Sequence, residues 1–391
     1  MLDRLDQQPP DALLALIKLY EADPRPSKID LGVGVYRTAD GDTPVFGAIK
    51  AAEKRLVETQ PTKAYLGPEG DMGFVHALMP HVFADALPGK GRIDGMQTPG
   101  GTGAVRLAVA LAAKAGVSTI WMGTPSWPNH AQILADCGME MGAFNHAAPD
   151  GSADMAALRE VIAKAGKNDA VLLHGACHNP TGVDYTNEEW DEIAGLLKER
   201  GVLPIIDLAY QGLGDGMDAD AYGLRTVVSA VPEALVAYSC DKNFGLYRDR
   251  VGALYVIGAN GDDVTRIMSN AASLARANWS MPPDHGGASV RMILEDEGLT
   301  ADWLAELETM RERIGAVRAK LAGASEAGSV DLTPLGRQKG MFAMLPVSKE
   351  QVQTLREDHG VYMAESGRIN VAGLTMGNID AFVAALADVT G

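Results

Sequence analysis

The strongest constraint on this chain is an alternation in its middle. Short apolar or β-branched runs at 119–122, 170–174, 202–207, 234–239 and 251–257 each end near a turn or polar residue, with helical patterns between them. That alternation predicts an α/β fold, because strands that return through helices build a sheet flanked by helices. The helices carry their own punctuation. Residues 101–115 are rich in Ala and Leu, and Gly116 follows at the place where a helix stops. Further on, Thr186 and Glu189 make a T-x-x-E capping box, Trp190, Ile193 and Leu197 form an apolar stripe, and Gly201 ends the helix.

A longer amphipathic pattern runs from about 300 to 321 through Trp303, Leu307, Met310, Ile314, Val317 and Leu321, and could bridge to a second domain. The stretch 325–391 has strand signals of its own and a final helix, whereas Pro9, Pro10, Pro24 and Pro26 make the extreme N-terminus, 1–11, read as an arm. At 391 residues the chain suggests two domains, or one large α/β domain with an appendage. The formal net charge of −17 argues against a nucleic-acid partner, whose phosphates would be repelled, but leaves room for a cationic pocket built from a few arginines. Cys137, Cys177 and Cys240 are odd in number and widely spaced, so no disulfide framework is expected and a reducing cytoplasm is the natural setting. The start lacks the basic and apolar segments of a signal peptide. Every apolar-rich stretch is broken well before about 18 residues, so no membrane span is expected.

Candidate chemistry clusters after the strands. Lys242, in Ser239-Cys240-Asp241-Lys242-Asn243-Phe244-Gly245, follows an apolar run. Partial burial there would lower its pKa and free the amine as a nucleophile, although a lysine in such a loop is more often a plain surface charge. Ser239 and Arg250 offer a hydroxyl and a guanidinium suited to a phosphate. His174, Cys177 and His178 lie close enough together to suggest a metal, but metal ligands usually come from several elements and no second cluster is evident. Asn179-Pro180 reads better as a rigid turn that leaves the Asn amide available, and no metal site is expected. Asp207 ends a strand with Tyr210 close behind, at a place that suits either a ligand or the cap of a following helix. Pro99-Gly100-Gly101-Thr102-Gly103 leads into a helix whose first N–H groups would favour a phosphate, but the spacing is not that of a dinucleotide fingerprint.

Taken in order, these segments resemble the aspartate and aromatic-amino-acid aminotransferases, class I, of the pyridoxal phosphate (PLP) fold type I, from about Asp11 to Val389. The resemblance is carried by Asp30-Leu31-Gly32-Val33-Gly34-Val35-Tyr36, Tyr65-Leu66-Gly67, Gly100-Gly101-Thr102-Gly103, Ser126-Trp127-Pro128-Asn129-His130, His178-Asn179-Pro180-Thr181-Gly182, Asp207-Leu208-Ala209-Tyr210, Lys242-Asn243-Phe244-Gly245, Arg276-Ala277-Asn278 and Ser366-Gly367-Arg368-Ile369-Asn370. It implies a large domain over about 44–308, with a mostly parallel sheet and helices on both faces, and a smaller α/β domain from 12–43 plus 309–391. It implies PLP as cofactor, with Lys242 as its Schiff-base lysine and proton shuttle, Asp207 as partner of the pyridine nitrogen and His130 behind it. Asn179 and Tyr210 would hydrogen-bond the phenolate oxygen and Trp127 would stack on the ring. Gly101, Thr102, Ser239 and Arg250 would form the phosphate cup, joined by Tyr65 from the other subunit of a homodimer. Arg368 would grip the substrate α-carboxylate, Arg276 from the partner subunit would meet a side-chain carboxylate, and Gly34 would lie where the small domain closes over substrate.

Two departures stand out. Asp241 occupies a position where the family usually has serine; it would point away from a phosphate, pair with Arg248 or Arg250, or be protonated. Ala64 and Met281 replace asparagines that help tether the side-chain-binding arginine in aspartate-preferring relatives. A looser Arg276 implies transamination of both acidic and aromatic amino acids with 2-oxoglutarate as acceptor. Another PLP reaction, such as β-elimination or decarboxylation, or a non-catalytic PLP- or amino-acid-binding protein, are the competing classes.

Overall fold

The computed structural model describes residues 2–7, 12–89 and 91–391, with side chains described from 15 onward in the first helix. The chain divides into two compact units. One comprises Pro44–Glu312 with Gln338–Gly340, and the other Met1–Thr43, Arg313–Arg337 and Met341–Gly391. Of the expected arm, 1–11, residues 1 and 8–11 lie outside the described residues, and the rest holds a short 3-10 turn at Leu2–Arg4.

The larger unit is built on a seven-stranded sheet. Its strands are β1 (Ile93–Pro99), β2 (Thr119–Thr124), β3 (Glu140–Asn145), β4 (Asp169–His174), β5 (Leu203–Leu208), β6 (Ala234–Ser239) and β7 (Val251–Ile257). The spatial order is β1-β7-β6-β5-β4-β2-β3. All neighbours are parallel except β7, which runs antiparallel to both β1 and β6. This is the α/β architecture expected from the alternating pattern, with the mostly parallel sheet that the resemblance implies. The interior strands β6 and β7 are buried along their whole length, which is why Ala-Leu-Val-Ala-Tyr-Ser and Val-Gly-Ala-Leu-Tyr-Val-Ile are almost continuously apolar.

Helix α1 (Gly100–Lys114) packs Ala104, Leu107, Ala108 and Leu111 onto this sheet with Met122, Ile205 and Leu254. Each fully buried Leu, Ile or Met side chain there contributes about 1.5–3 kcal/mol of transfer free energy. Helix α2 (Pro128–Asp136) starts just after β2. Helix α3 (Asn187–Arg200) has the anticipated capping box between Thr186 and Glu189 and ends on Gly201 at φ 65°. The long helix α4 (Glu297–Gly323) buries Trp303, Leu307, Met310, Ile314, Val317 and Leu321, the stripe read from its spacing. The division between the units falls inside it.

The smaller unit has its own core, in which Ile29, Leu31, Val317, Leu321, Leu355, Ile369 and Phe382 pack together. Its strands are short. Ile29–Asp30 pairs parallel with Val361–Tyr362, and Phe342–Met344 pairs antiparallel with Arg368–Asn370. Among the described residues, no helix is long and apolar enough to cross a membrane.

Candidate active site

The register of the sheet decides which side chains meet. His174 at the end of β4 lies opposite Asp207 of β5, Asp207 opposite Ala237 of β6, and Ser239 opposite Gly252 of β7. Pro99, the last residue of β1, pairs with Val251, the first of β7. The ends of five strands therefore converge, and the residues that follow them form one cluster, at the edge where open α/β sheets place ligands.

Asp207 is buried and its Oδ2 lies 3.0 Å from His130 Nε2. Ser126 Oγ continues the chain, 3.0 Å from His130 Nδ1 and 3.1 Å from His174 Nε2. Burial alone would push the Asp207 carboxyl up; the hydrogen bond from His130 and the nearby positive charge, including that of Lys242, outweigh it and hold the group below the ordinary carboxylate range. Burial takes His174 down to about 3, so it stays neutral beside this carboxylate. The Lys242 Nζ sits 5.2 Å from the centre of the Tyr210 ring. Burial lowers its pKa, against the opposing pull of Asp241 and Asp207. A desolvated amine of this kind is a better nucleophile and base than a surface lysine.

Asn179 Nδ2 lies 3.5 Å from the Tyr210 hydroxyl, and its buried Oδ1 has no hydrogen-bond partner among the described residues. An orphaned buried acceptor beside a phenol is a ready contact for a polar ligand edge. Trp127 caps α2 and meets His130 edge-on at 5.0 Å.

The other half of the cluster is an anion cup. Gly100, at φ 69°, and Gly101 open α1; a Cβ on Gly101 would lie 2.8 Å from the Cβ of Ser239, so only glycine allows the helix start to approach β6. Arg250, itself at φ 56°, extends Nη2 to 3.5 Å from Thr102 Oγ1, and its Nη1 ion-pairs with Asp241. Of the three arrangements open to Asp241, the fold adopts pairing with Arg250. A cleft of about 770 Å³ opens beside Thr102 and Arg250, also lined by Arg106, Asn129 and Trp279. Helix N–H groups, two hydroxyls and a guanidinium suit a phosphate; a buried carboxylate, an orphaned amide oxygen and a lysine amine suit a heteroaromatic aldehyde.

The remaining predicted residues lie elsewhere. Tyr65 is 94% exposed, and Arg276, near the end of the helix Gly261–Asn278, is exposed with Nη1 hydrogen-bonded to Ser280 Oγ. Neither joins the cluster within this chain. In the smaller unit, Arg368 Nη2 donates to the Gly32 carbonyl at 2.9 Å and its guanidinium lies 4.9 Å from the Phe342 ring; a Cβ on Gly34 would stand 3.0 Å from the same ring. Sequence reasoning missed Phe342 and the bridging role of Ser126. Ser126 stood inside a recognised motif, but only its position between two imidazoles shows what it does.

The profile of the family "Aminotransferase class I and II" matches residues 26–386. The chain is 51% identical to a tyrosine aminotransferase of Rhizobium meliloti (strain 1021) over 96% of both proteins, and 41% identical to an aspartate aminotransferase of Escherichia coli (strain K12) over 97% of both. A solved aromatic-amino-acid aminotransferase from Burkholderia pseudomallei, covalently bound to pyridoxal phosphate, superimposes with a TM-score of 0.95 at 33% identity, covering 100% of each chain. With the family profile spanning most of its length and such relatives matching nearly end to end, the chain belongs to the aminotransferase class I and II family and is an enzyme of that kind.

Proposed function

We propose that this enzyme is a PLP-dependent transaminase. It moves the amino group of an acidic or aromatic L-amino acid (aspartate, glutamate, tyrosine or phenylalanine) to a 2-oxo acid such as 2-oxoglutarate, by a ping-pong mechanism, as a cytoplasmic homodimer. The observation that carries this reading is the Lys242 amine held over Tyr210 in the same strand-end cluster as the Asp207–His130 pair and the Gly101, Thr102, Ser239 and Arg250 cup.

Lys242, Asp207, Asn179, Tyr210, Trp127 and the cup would hold PLP, which when bound supplies an electron sink that acidifies the substrate Cα–H. Asp207, kept ionised by His130, would pair with the cofactor's ring nitrogen and hold a proton there. Lys242 Nζ takes the Cα proton, and its lowered pKa fits that task because a base works best when its pKa lies near the working pH. Arg368 binds the α-carboxylate and Gly34 leaves space for the substrate backbone. We read 44–308 as the cofactor-binding domain and 12–43 with 309–391 as a small domain carrying Arg368.

The exposure of Tyr65, Leu66 and Val57 supports a dimer in which Tyr65 and Arg276 serve the partner subunit's site. Leu66 N–H contacts Met281 Sδ, so the segment beside Arg276 is lined by thioether rather than amide, which supports acceptance of aromatic as well as acidic side chains.

The purified protein should be yellow. Aspartate or glutamate should bleach the visible band and 2-oxoglutarate should restore it, whereas a colourless protein that PLP cannot reconstitute would mark a binding module. The dual specificity fails if kcat/KM for phenylalanine or tyrosine lies roughly 10⁴-fold or more below aspartate, a gap of about 5.5 kcal/mol.

A further inference from the structure

The anion cup contains its own anion. Asp241 is 1% exposed, and its Oδ2 ion-pairs with Nη1 of Arg250 while its Oδ1 accepts the Val251 N–H at 3.1 Å. Its own N–H donates to Ser239 Oγ at 3.2 Å. The pair is fitted against the start of α1: a Cβ on Gly100 would lie 2.6 Å from Arg250 Nη2 and 2.9 Å from Asp241 Oδ2. The Tyr247 carbonyl takes a second bond from Nη1 at 3.2 Å. Arg250 therefore presents to an incoming phosphate a guanidinium already neutralised by a buried carboxylate.

Two anions on one guanidinium repel each other, and in a desolvated site a proton on one of them relieves the repulsion. Asp241 is placed to accept it. A neutral carboxyl keeps one oxygen for the Val251 N–H and turns the other into an O–H donor toward a phosphate oxygen, converting a repulsive contact into a hydrogen bond. The groups that face it are Arg250 and Lys242, which favour the ionised form, the Cys240 thiol beside it in sequence, and the hydroxyl of Ser239. Burial outweighs the two cations and raises the carboxyl above its ordinary range.

We propose that phosphate binding in this cup is coupled to the uptake of one proton by Asp241, so that the enzyme holds its phosphorylated cofactor more tightly as pH falls. This rests on the PLP reading above.

The test uses the full-length cofactor-free enzyme with Asp241→Asn, which keeps an acceptor for Val251 N–H, and Asp241→Ser. Calorimetric titration with inorganic phosphate and with PLP, in buffers of different ionisation enthalpy, counts protons, and phosphorus NMR of the bound phosphate gives its own share in each protein. Wild type should take up roughly one more proton per site than either variant near pH 7.5. Both variants should bind phosphate roughly tenfold tighter than wild type near pH 8.5, and that advantage should shrink toward pH 6.5. Equal proton counts, or an advantage independent of pH, overturn the proposal while PLP binding itself stands. Failure of all three proteins to bind PLP overturns both readings.

Discussion

Asp207 and Lys242 are buried charges whose pKa values are both held low, with opposite consequences for stability. For Asp207 the folded pKa lies below the unfolded value, so its contribution is present above about pH 3.9 and is lost as pH falls through the folded pKa. Asp207→Asn keeps the shape and removes the charge. It should cut kcat/KM by about 10³-fold, or about 4 kcal/mol, and blunt the acid limb of urea unfolding curves. An unchanged kcat/KM would remove Asp207 from the chemistry. For Lys242 the folded pKa also lies below the unfolded one, but the charged form is now the protonated one. Burying that cation costs stability at every pH below the folded pKa, and the cost fades as pH rises toward about 10.4. Lys242→Met in the cofactor-free enzyme should therefore raise Tm near neutrality, with the gain shrinking as pH climbs, while abolishing transamination. On the proposed mechanism, stability is given up at this position for a usable base. A Tm that falls at neutral pH would mean that the Asp241 and Asp207 charges need the lysine more than its burial costs.

At the scale of elements, the site depends on how closely the start of α1 approaches the β6–β7 ladder. A Cβ on Gly252 would lie 2.5 Å from the Gly100 carbonyl carbon and 2.6 Å from the Tyr238 carbonyl oxygen, both backbone atoms that cannot swing aside. Gly252→Ala should therefore cost about 3 kcal/mol in denaturant unfolding and weaken PLP retention on dialysis, because relief requires α1 to lift away from Ser239. A variant as stable as wild type would show that the cup tolerates such a shift. The same geometry explains what was legible in the sequence. Interior strands β4 to β7 read clearly because both faces are largely buried and most of their residues are apolar. The two strands not anticipated, β1 and β3, are the edges of the sheet, where Ile-Asp-Gly-Met-Gln-Thr-Pro and Glu-Met-Gly-Ala-Phe-Asn are half polar and carry no periodic signal. Lys242, Asp207, Asn179 and Arg250 could be singled out as candidates because each lies at or beside a legible strand end or turn. Phe342 was not, because one aromatic residue in a three-residue strand looks like ordinary core until Gly34 and Arg368 are seen beside it.

At the scale of the whole molecule, the residues left outside the cluster make the sharpest claim. Arg276 and Tyr65 are exposed, whereas the other proposed large-unit site residues are drawn together at the strand ends. If they complete the partner subunit's site, then a Lys242→Ala chain, dead in its own site, can still lend Arg276 to a neighbour, and an Arg276→Ala chain can still use its own Lys242. Each variant alone should turn over aspartate at least ~100-fold more slowly than wild type, since an unpaired carboxylate in the pocket costs about 3 kcal/mol. Co-expressed in equal amounts, half of the dimers are mixed, and each mixed dimer has one site with an intact lysine and an intact arginine. Aspartate turnover should recover to about a quarter of wild type. With phenylalanine, which has no second carboxylate, Arg276→Ala alone should keep activity within about tenfold of wild type, and mixing should add little. No recovery with aspartate in the mixed dimers would place Arg276 in its own subunit's site and dismantle the shared-site dimer, whatever the oligomeric state in solution.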